Sequence, residues 1–277
     1  MSPAAKIAGF VAVLAVLFGV SALAGAAFGP AAPSTPAEHS DKTEAPDQVR
    51  GLAVAQDGMR IVVADPELDR SRTETLRFRI AGAHGGTVRD FDVTHEKRMH
   101  LIIARRDLTG FQHLHPELSA DGTWTARVRL AAAGSYRLFA DYSHAGEPRT
   151  LATDLRVDGN ADLVTLPAPA ATATSDGGYD VRLDAVRTRP GAPADLRFTV
   201  KRDGAAVDTE PYLGAGGHLV ALREGDLAFL HVHPEEHAEA AGIGFAATFP
   251  TPGRYRLFLQ FKHAGRVHTA AFTHAVA

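Results

Sequence analysis

The sequence predicts an all-β protein, two tandem β-sandwich domains after an N-terminal transmembrane helix. Three observations carry this expectation. A histidine pattern occurs twice with one spacing: His100, then Phe111-Gln-His113-Leu-His115-Pro116-Glu117, and His218, then Phe229-Leu-His231-Val-His233-Pro234-Glu235. A second match, Tyr136-Arg-Leu-Phe139 running to His144-Ala-Gly146, returns as Tyr255-Arg-Leu-Phe258 running to His263-Ala-Gly265. Within each copy, short segments alternate apolar and polar residues between Gly and Pro punctuation, and no segment beyond the N-terminal apolar run sustains a helical period with caps.

The elements follow in order. Lys6 precedes an uncharged apolar run over residues 7–28, long enough to span a bilayer, which takes about 20 residues. Ala22-Leu23-Ala24 also offers a small-residue cleavage site, so residues 1–28 read as a transmembrane anchor or a signal segment. The continuation of the apolar run to Phe28 favours an anchor, which leaves the bulk of the chain outside the cytoplasm. Residues 29–50, rich in Pro, Ala, Ser and Thr, read as a flexible stalk. Residues 51–158 form the first repeat, 159–178 a linker and 179–277 the second repeat. Segments 60–63, 76–80, 124–130 and 134–142 read as strands of the first repeat, and 180–184 and 196–200 as counterparts in the second. About seven strands are expected in each domain. Gly134-x-Tyr136 and Gly253-x-Tyr255 fit a tyrosine corner at a Greek-key crossover and equally fit half-buried strand aromatics.

Composition bounds the function. The 277 residues carry a formal net charge of −3 with no long basic or acidic run, which argues against nucleic acid as a partner. No cysteine is present, which removes disulfides, thiolate metal sites, a Cys nucleophile and a blue-copper centre. Gly-x-Ser-x-Gly, His-Glu-x-x-His, the P-loop and the dinucleotide glycine fingerprint are all missing, so the chain does not read as an enzyme.

The histidines carry the remaining signal. A hairpin joining residues 99–105 to 111–116 through Asp107-Leu-Thr-Gly110 would pair Ala104 with His113 and Ile102 with His115. Side chains alternate faces with period two, so His100, His113 and His115 share one face, with His100 diagonal to His115. Imidazole is the commonest metal ligand among side chains, and sets of nitrogen ligands suit Cu(II), Zn(II) or Ni(II). The expectation is therefore two metal sites, His100, His113 and His115 in one and His218, His231 and His233 in the other. His144 and His263 are further ligand candidates at equivalent hairpin ends. Glu117 and Glu235 read either as partners of an imidazole N–H or as solvated turn residues. His84, His95, His237, His268 and His274 have no repeat equivalents and read as surface residues. The competing reading is a structural or protein-interaction sandwich whose histidines are packed core.

The segments Lys97-Arg-Met-His100-Leu-Ile, Phe111-Gln-His-Leu-His-Pro116, Asp121-Gly-Thr-Trp124 and Gly134-Ser-Tyr136-Arg-Leu-Phe139, with Tyr212-Leu-Gly-Ala-Gly-Gly-His218 in the second half, resemble a group of membrane-anchored exported proteins of high-GC Gram-positive bacteria. That resemblance implies duplicated immunoglobulin-like or cupredoxin-like domains bearing the histidine motif and an association with heavy-metal handling. Residues and resemblance together give the expected function: a single-pass extracytoplasmic protein of the cell membrane that binds a transition-metal ion, copper first and zinc as the alternative. Its role would be buffering, delivery or sensing, with a protein partner in metal transfer.

Overall fold

A computed structural model describes residues 16, 49–185, 187–230, 232–234 and 242–277, with only the backbone of His233. Among these residues no helix is long and apolar enough to cross a membrane. The expected anchor over 1–28 lies outside them, apart from Val16.

The described chain is all-β. The first repeat holds β1 (Ala55–Gln56), β2 (Met59–Val63), β3 (Glu67–Leu68), β4 (Thr73–Ala81), β5 (His100–Arg105), β6 (Gln112–Leu114), β7 (Glu117–Leu118), β8 (Trp124–Arg129), β9 (Gly134–His144) and β10 (Glu147–Val157). The second holds β11 (Thr172–Thr174), β12 (Asp180–Ala185), β13 (Pro193–Arg202), β14 (Ala205–Ala206), β15 (His218–Arg223), β16 (Phe229–Leu230), β17 (His233–Pro234), β18 (Ile243–Thr248), β19 (Gly253–His263) and β20 (Arg266–Val276). Each repeat is a sandwich of two sheets. The orders are β1-β2-β4-β8-β7 over β3-β10-β9-β5-β6, and β11-β12-β13-β18-β17, with β14 beside β13, over β16-β15-β19-β20. The strands exceed seven per repeat because short edge pieces such as β1, β3 and β14 pair with the main strands.

Period-two alternation fills each interior. In the first repeat Leu76, Phe78, Trp124, Tyr136 and Leu138 join Leu101 and Ile103 of β5. In the second, Leu196, Phe198, Phe245, Tyr255 and Leu257 join Leu219 and Ala221 of β15. Both tyrosines are corners: the Tyr136 hydroxyl donates to the Ala132 carbonyl at 2.8 Å and that of Tyr255 to the Thr251 carbonyl at 3.0 Å. Each phenol thus satisfies a backbone oxygen four residues upstream where the chain crosses between sheets.

A third core lies between the repeats. Strand β5 is buried at every position, which an ordinary sandwich strand with one solvated face is not. Its opposite face, Ile102 and Ala104, packs with Phe139 and Ala152 against Val220, Leu222, Phe229 and Phe258 of the second repeat. The contact is nearly two-fold in its residues. Phe111 stacks on Phe258 with ring centroids 4.0 Å apart, and the repeat-equivalent pair, Phe229 and Phe139, meets at 5.6 Å.

The flanking segments close this seam. The Arg50 carbonyl accepts from Phe229 N at 2.9 Å and the Ala53 carbonyl from Ala152 N at 2.8 Å, so the end of the expected stalk bridges the two repeats. Gly51 lies between them at φ +71°, where a Cβ would come 2.8 Å from both Phe139 and Phe229; only glycine fits that backbone and that gap. Much of the expected linker is also docked. Leu166 is buried in the seam, Val164 N donates to the Asp107 carboxylate at 2.8 Å, and β11 pairs with β12 as an edge strand of the second repeat.

Truncating a buried aromatic side chain costs about 3–5 kcal/mol. Phe258→Ala should therefore lower unfolding stability by about that amount, and urea denaturation will measure it. A loss below about 1 kcal/mol would show that the repeats are not held by this stack.

Candidate metal centre

The same face of β5 that builds the seam carries His100 at its end. β5 pairs with β6 as Leu101 with Leu114, Ile102 with His113 and Ile103 with Gln112. The expected register, Ile102 with His115, is two residues off. The cause is the turn, where Leu108 and Gly110 both take positive φ and Arg105 N donates to the Thr109 carbonyl. A slip of two leaves every side chain on its expected face, so His100, His113 and His115 still converge. Continuing the register by one residue sets His115 opposite His100 rather than diagonal to it, and their ring centroids lie 5.1 Å apart.

The three rings offer nitrogens that all lie within 4.8 Å of one another. His100 Nδ1 and His113 Nε2 are 3.0 Å apart. Their outward nitrogens face acceptors: His100 Nε2 is 3.2 Å from the Thr94 carbonyl, and His113 Nδ1 is 2.5 Å from Gln260 Oε1. A carbonyl or amide oxygen accepts, so both rings donate outward, and that choice fixes the tautomer. In neutral rings two lone pairs are then left facing each other. Among the described residues, the buried His115 Nε2 has no hydrogen-bond partner.

A proton does not readily resolve that opposition. Burial pushes the pKa values of His100 and His113 down to about 4. For His100 the next cause is the neighbouring His113 charge, while Asp141 and the Thr94 carbonyl pull the other way. His115 is also held at about 4, by burial first and then by His100 and Lys97. The cluster is therefore neutral at ordinary pH, with in-plane lone pairs pointed into a protected space.

The second repeat contributes to this same place. His218 lies parallel to His100 at 7° with centroids 5.4 Å apart, and 4.7 Å from His113. The seam brings the equivalent faces of β5 and β15 together, so His218, expected in the second site, stands beside the first-site rings. His231 lies outside the described residues, and for His233 only the backbone in β17 is described. The structure does not bring His144 or His263 to the cluster. His144 Nδ1 is 2.7 Å from the Asp90 carbonyl, and His263 Nδ1 is 2.7 Å from the Tyr179 hydroxyl. Both sit where β9 and β19 end in their hairpin turns, whereas His100 and His113 lie on the seam face. Glu117 is exposed in β7.

Three other expectations change. His95 is not a detached surface residue: it stands at φ 49° in the tight turn closed by Thr94 and Lys97, with its ring 6.0 Å from His100 and 6.1 Å from His218. The equivalent position is Leu213, so repetition could not reveal it. His268 is buried against Tyr179 and Phe261, and His274 is half-buried with Nε2 2.8 Å from Thr188 Oγ1. Gln260, which orients His113, also escaped a histidine-based reading. A signal was available, because Gln260 stands two residues after Phe258 where the first repeat has Asp141 two after Phe139.

Comparison with known proteins places these features in a family. The family described as a domain of unknown function, DUF8832, matches residues 53–159 and again residues 172–277. No curated protein matches the chain. Solved structures similar to it include the Escherichia coli adhesin FdeC, 14% identical with a TM-score of 0.27, covering 81% of this chain and 66% of the adhesin chain. A Salmonella alpha-2-macroglobulin is 13% identical with a TM-score of 0.29, covering 83% of this chain and 15% of its own. A chimeric titin Z1Z2 is 14% identical with a TM-score of 0.22, covering 78% and 96%. The chain thus spans just under two thirds of the adhesin chain and a small part of the macroglobulin.

The depressed pKa values set a pH dependence. Between pH about 6.5 and about 4 the unfolded chain holds protons on these three rings that the folded protein does not. Stability is therefore full above about 6.5, falls as pH drops through that window, and stops falling on their account below about 4. For His100 alone the limit is about 3 kcal/mol. Urea midpoints in the presence of a chelator, from pH 7.5 to 4.5, should trace this decline, and a flat profile would mean that the rings are solvated.

Proposed function

Because the chain belongs to the DUF8832 family, whose description assigns no activity, its role has to be read from its own residues, and we propose that it binds a transition-metal ion at the His100, His113 and His115 cluster. One observation carries this reading. Two imidazoles whose outward N–H groups are committed to oxygen acceptors present their remaining nitrogens to each other at 3.0 Å. Nitrogens sharing one ion at about 2.0–2.1 Å are separated by roughly 3.0–3.4 Å at ordinary ligand angles. The pair is spaced as ligands are, and a bound cation would replace the lone-pair repulsion with two bonds. His115 needs only to close toward them, and its Nε2 gives up no hydrogen bond in doing so.

A set of neutral nitrogens suits copper first and zinc second. Such an ion would be cargo. His100, His113 and His115 hold it, His218 covers it, and Thr94 and Gln260 hold the rings in their binding tautomers. With residues 1–28 as an anchor, the described chain would stand on the outer side of the cytoplasmic membrane and take up the ion for buffering, sensing or transfer to a protein partner. The alternative is a structural module whose histidines merely complete the seam, and the parallel His100–His218 stack favours it.

Calorimetry with Cu(II) and Zn(II) separates these readings. The metal site requires saturable binding that weakens at acid pH, as ligating imidazoles must be deprotonated. His113→Ala should weaken it by at least about 100-fold, beyond the roughly 10–100-fold typical of losing an outer partner. His144→Ala and His263→Ala should leave it unchanged. Wild-type protein that takes up neither ion would leave the structural module.

A further inference from the structure

We propose that Gln260, supplied by the second repeat, is the positioning residue for the first-repeat ligand His113, so that the metal site is competent only while the two repeats are docked. The inference rests on the metal reading and extends it: affinity becomes a property of the seam and not of one domain.

The geometry is specific. Gln260 lies in β19 opposite His218 of β15. By period two it shares the face of Phe258, so it reaches across the seam while Leu259 and Phe261 turn into their own core. Gln260 is buried, and its Oε1 accepts from His113 Nδ1 at 2.5 Å, a contact between residues 147 apart in sequence. The amide orientation is consistent, since Nε2 lies 3.5 Å from Thr269 Oγ1 on the neighbouring strand β20. The first repeat holds its own acceptor at the equivalent place, Asp141 opposite His100, but that carboxylate accepts from Thr150 Oγ1 at 2.7 Å. The oxygen that orients His113 comes from the other repeat.

The consequence follows from imidazole chemistry. With Nδ1–H donated to Gln260, His113 must present its lone pair on Nε2, the nitrogen that faces His100. Without that acceptor the ring can move its proton to Nε2 and point an N–H into the site, where it would donate to His100 Nδ1 and block a ligand position. The stacked Phe111–Phe258 pair lies on the same two faces, so loss of docking would remove Gln260 from His113. A carboxamide stands where the first repeat has the carboxylate Asp141, and it orients the ring while adding no charge to the neutral cluster.

The test uses the whole chain carrying Gln260→Leu or Gln260→Glu, beside His113→Ala. In metal-free protein, long-range nitrogen–proton NMR of the His113 ring reads the tautomer directly. Wild type should show Nδ1–H, Gln260→Leu a loss of that form, and Gln260→Glu its return. Calorimetry with Cu(II) should show about 10–100-fold weaker binding in Gln260→Leu at unchanged stoichiometry. An unchanged His113 tautomer in Gln260→Leu would overturn the positioning role whatever the metal data show, as would wild-type affinity in that variant. If the tautomer responds but wild type binds no metal, the metal reading fails and the seam dependence of affinity fails with it, while the hydrogen bond itself stands. Circular dichroism on each variant confirms that it folds, and Gln260→Met, which also lacks the acceptor oxygen, serves if Gln260→Leu does not.

Discussion

Burial of one sheet face of each repeat against the other governs what the histidines can do. A β-strand in a lone sandwich has one dry face and one wet face. Here β5 is dry on both, because Ile102 and Ala104 meet Val220 and Leu222 of the second repeat. His100, buried, and His113, half-buried, share that second face, so they are held where water compensates a proton poorly. Their low proton affinity, fixed tautomers and close approach all follow from this burial. Neutral imidazoles in a solvated strand would differ little from free histidine; the seam turns them into oriented lone pairs.

Aromatic stacks alone do not account for how firmly the seam is built. Two chain segments that would otherwise be free cross it: the one around Gly51, which hydrogen-bonds to both repeats through Arg50 and Ala53, and the one around Leu166. Arg105 and Asp107 form a buried ion pair beneath the second crossing. The guanidinium also reaches the Ala133 and Asp162 carbonyls, and Asp107 accepts from Val164 N. Buried charges of this kind contribute modestly to net stability when paired and cost several kcal/mol when one partner is removed. Their effect here is to fix where the chain leaves the first repeat, which in turn fixes how the second can dock.

Much of this was legible in the sequence, and the rest failed for physical reasons. Period-two alternation and the repeated motifs gave the sandwich class, the duplication and the shared face of His100, His113 and His115. The hairpin register was wrong by two because Leu108 takes a left-handed conformation that its side chain does not advertise. The face assignment survived because a slip of two preserves alternation. Repetition alone did not place His218. It assigned His218 to the second cluster alone, whereas the pseudo-symmetric packing of equivalent faces also sets it against the first. His144 and His263 kept their equivalence for a different purpose: each hydrogen-bonds within its own repeat, to the Asp90 carbonyl and the Tyr179 hydroxyl. A motif shared by two domains reports common descent. Which copies meet depends on the inter-domain surface, and sequence periodicity carries no term for that surface.

The divergence between the repeats is informative for the same reason. Were the seam symmetric in chemistry as well as in shape, Asp141 and Gln260 would be the same residue and His95 would face a second histidine at 213. Instead the second repeat has Leu213 and Gln260. A carboxylate at 260 would place a charge against His113 in a dry interface, where an unpaired anion is costly and would raise the proton affinity of the ring it touches. The carboxamide supplies the acceptor without that charge, so His113 stays neutral and its Nε2 lone pair remains free at ordinary pH. The asymmetry therefore lies where the proposed site, with one repeat's rings and the other's support, would need it. It gives a physical reason for a duplicated domain to keep its shape and its phenylalanines while its polar residues diverge.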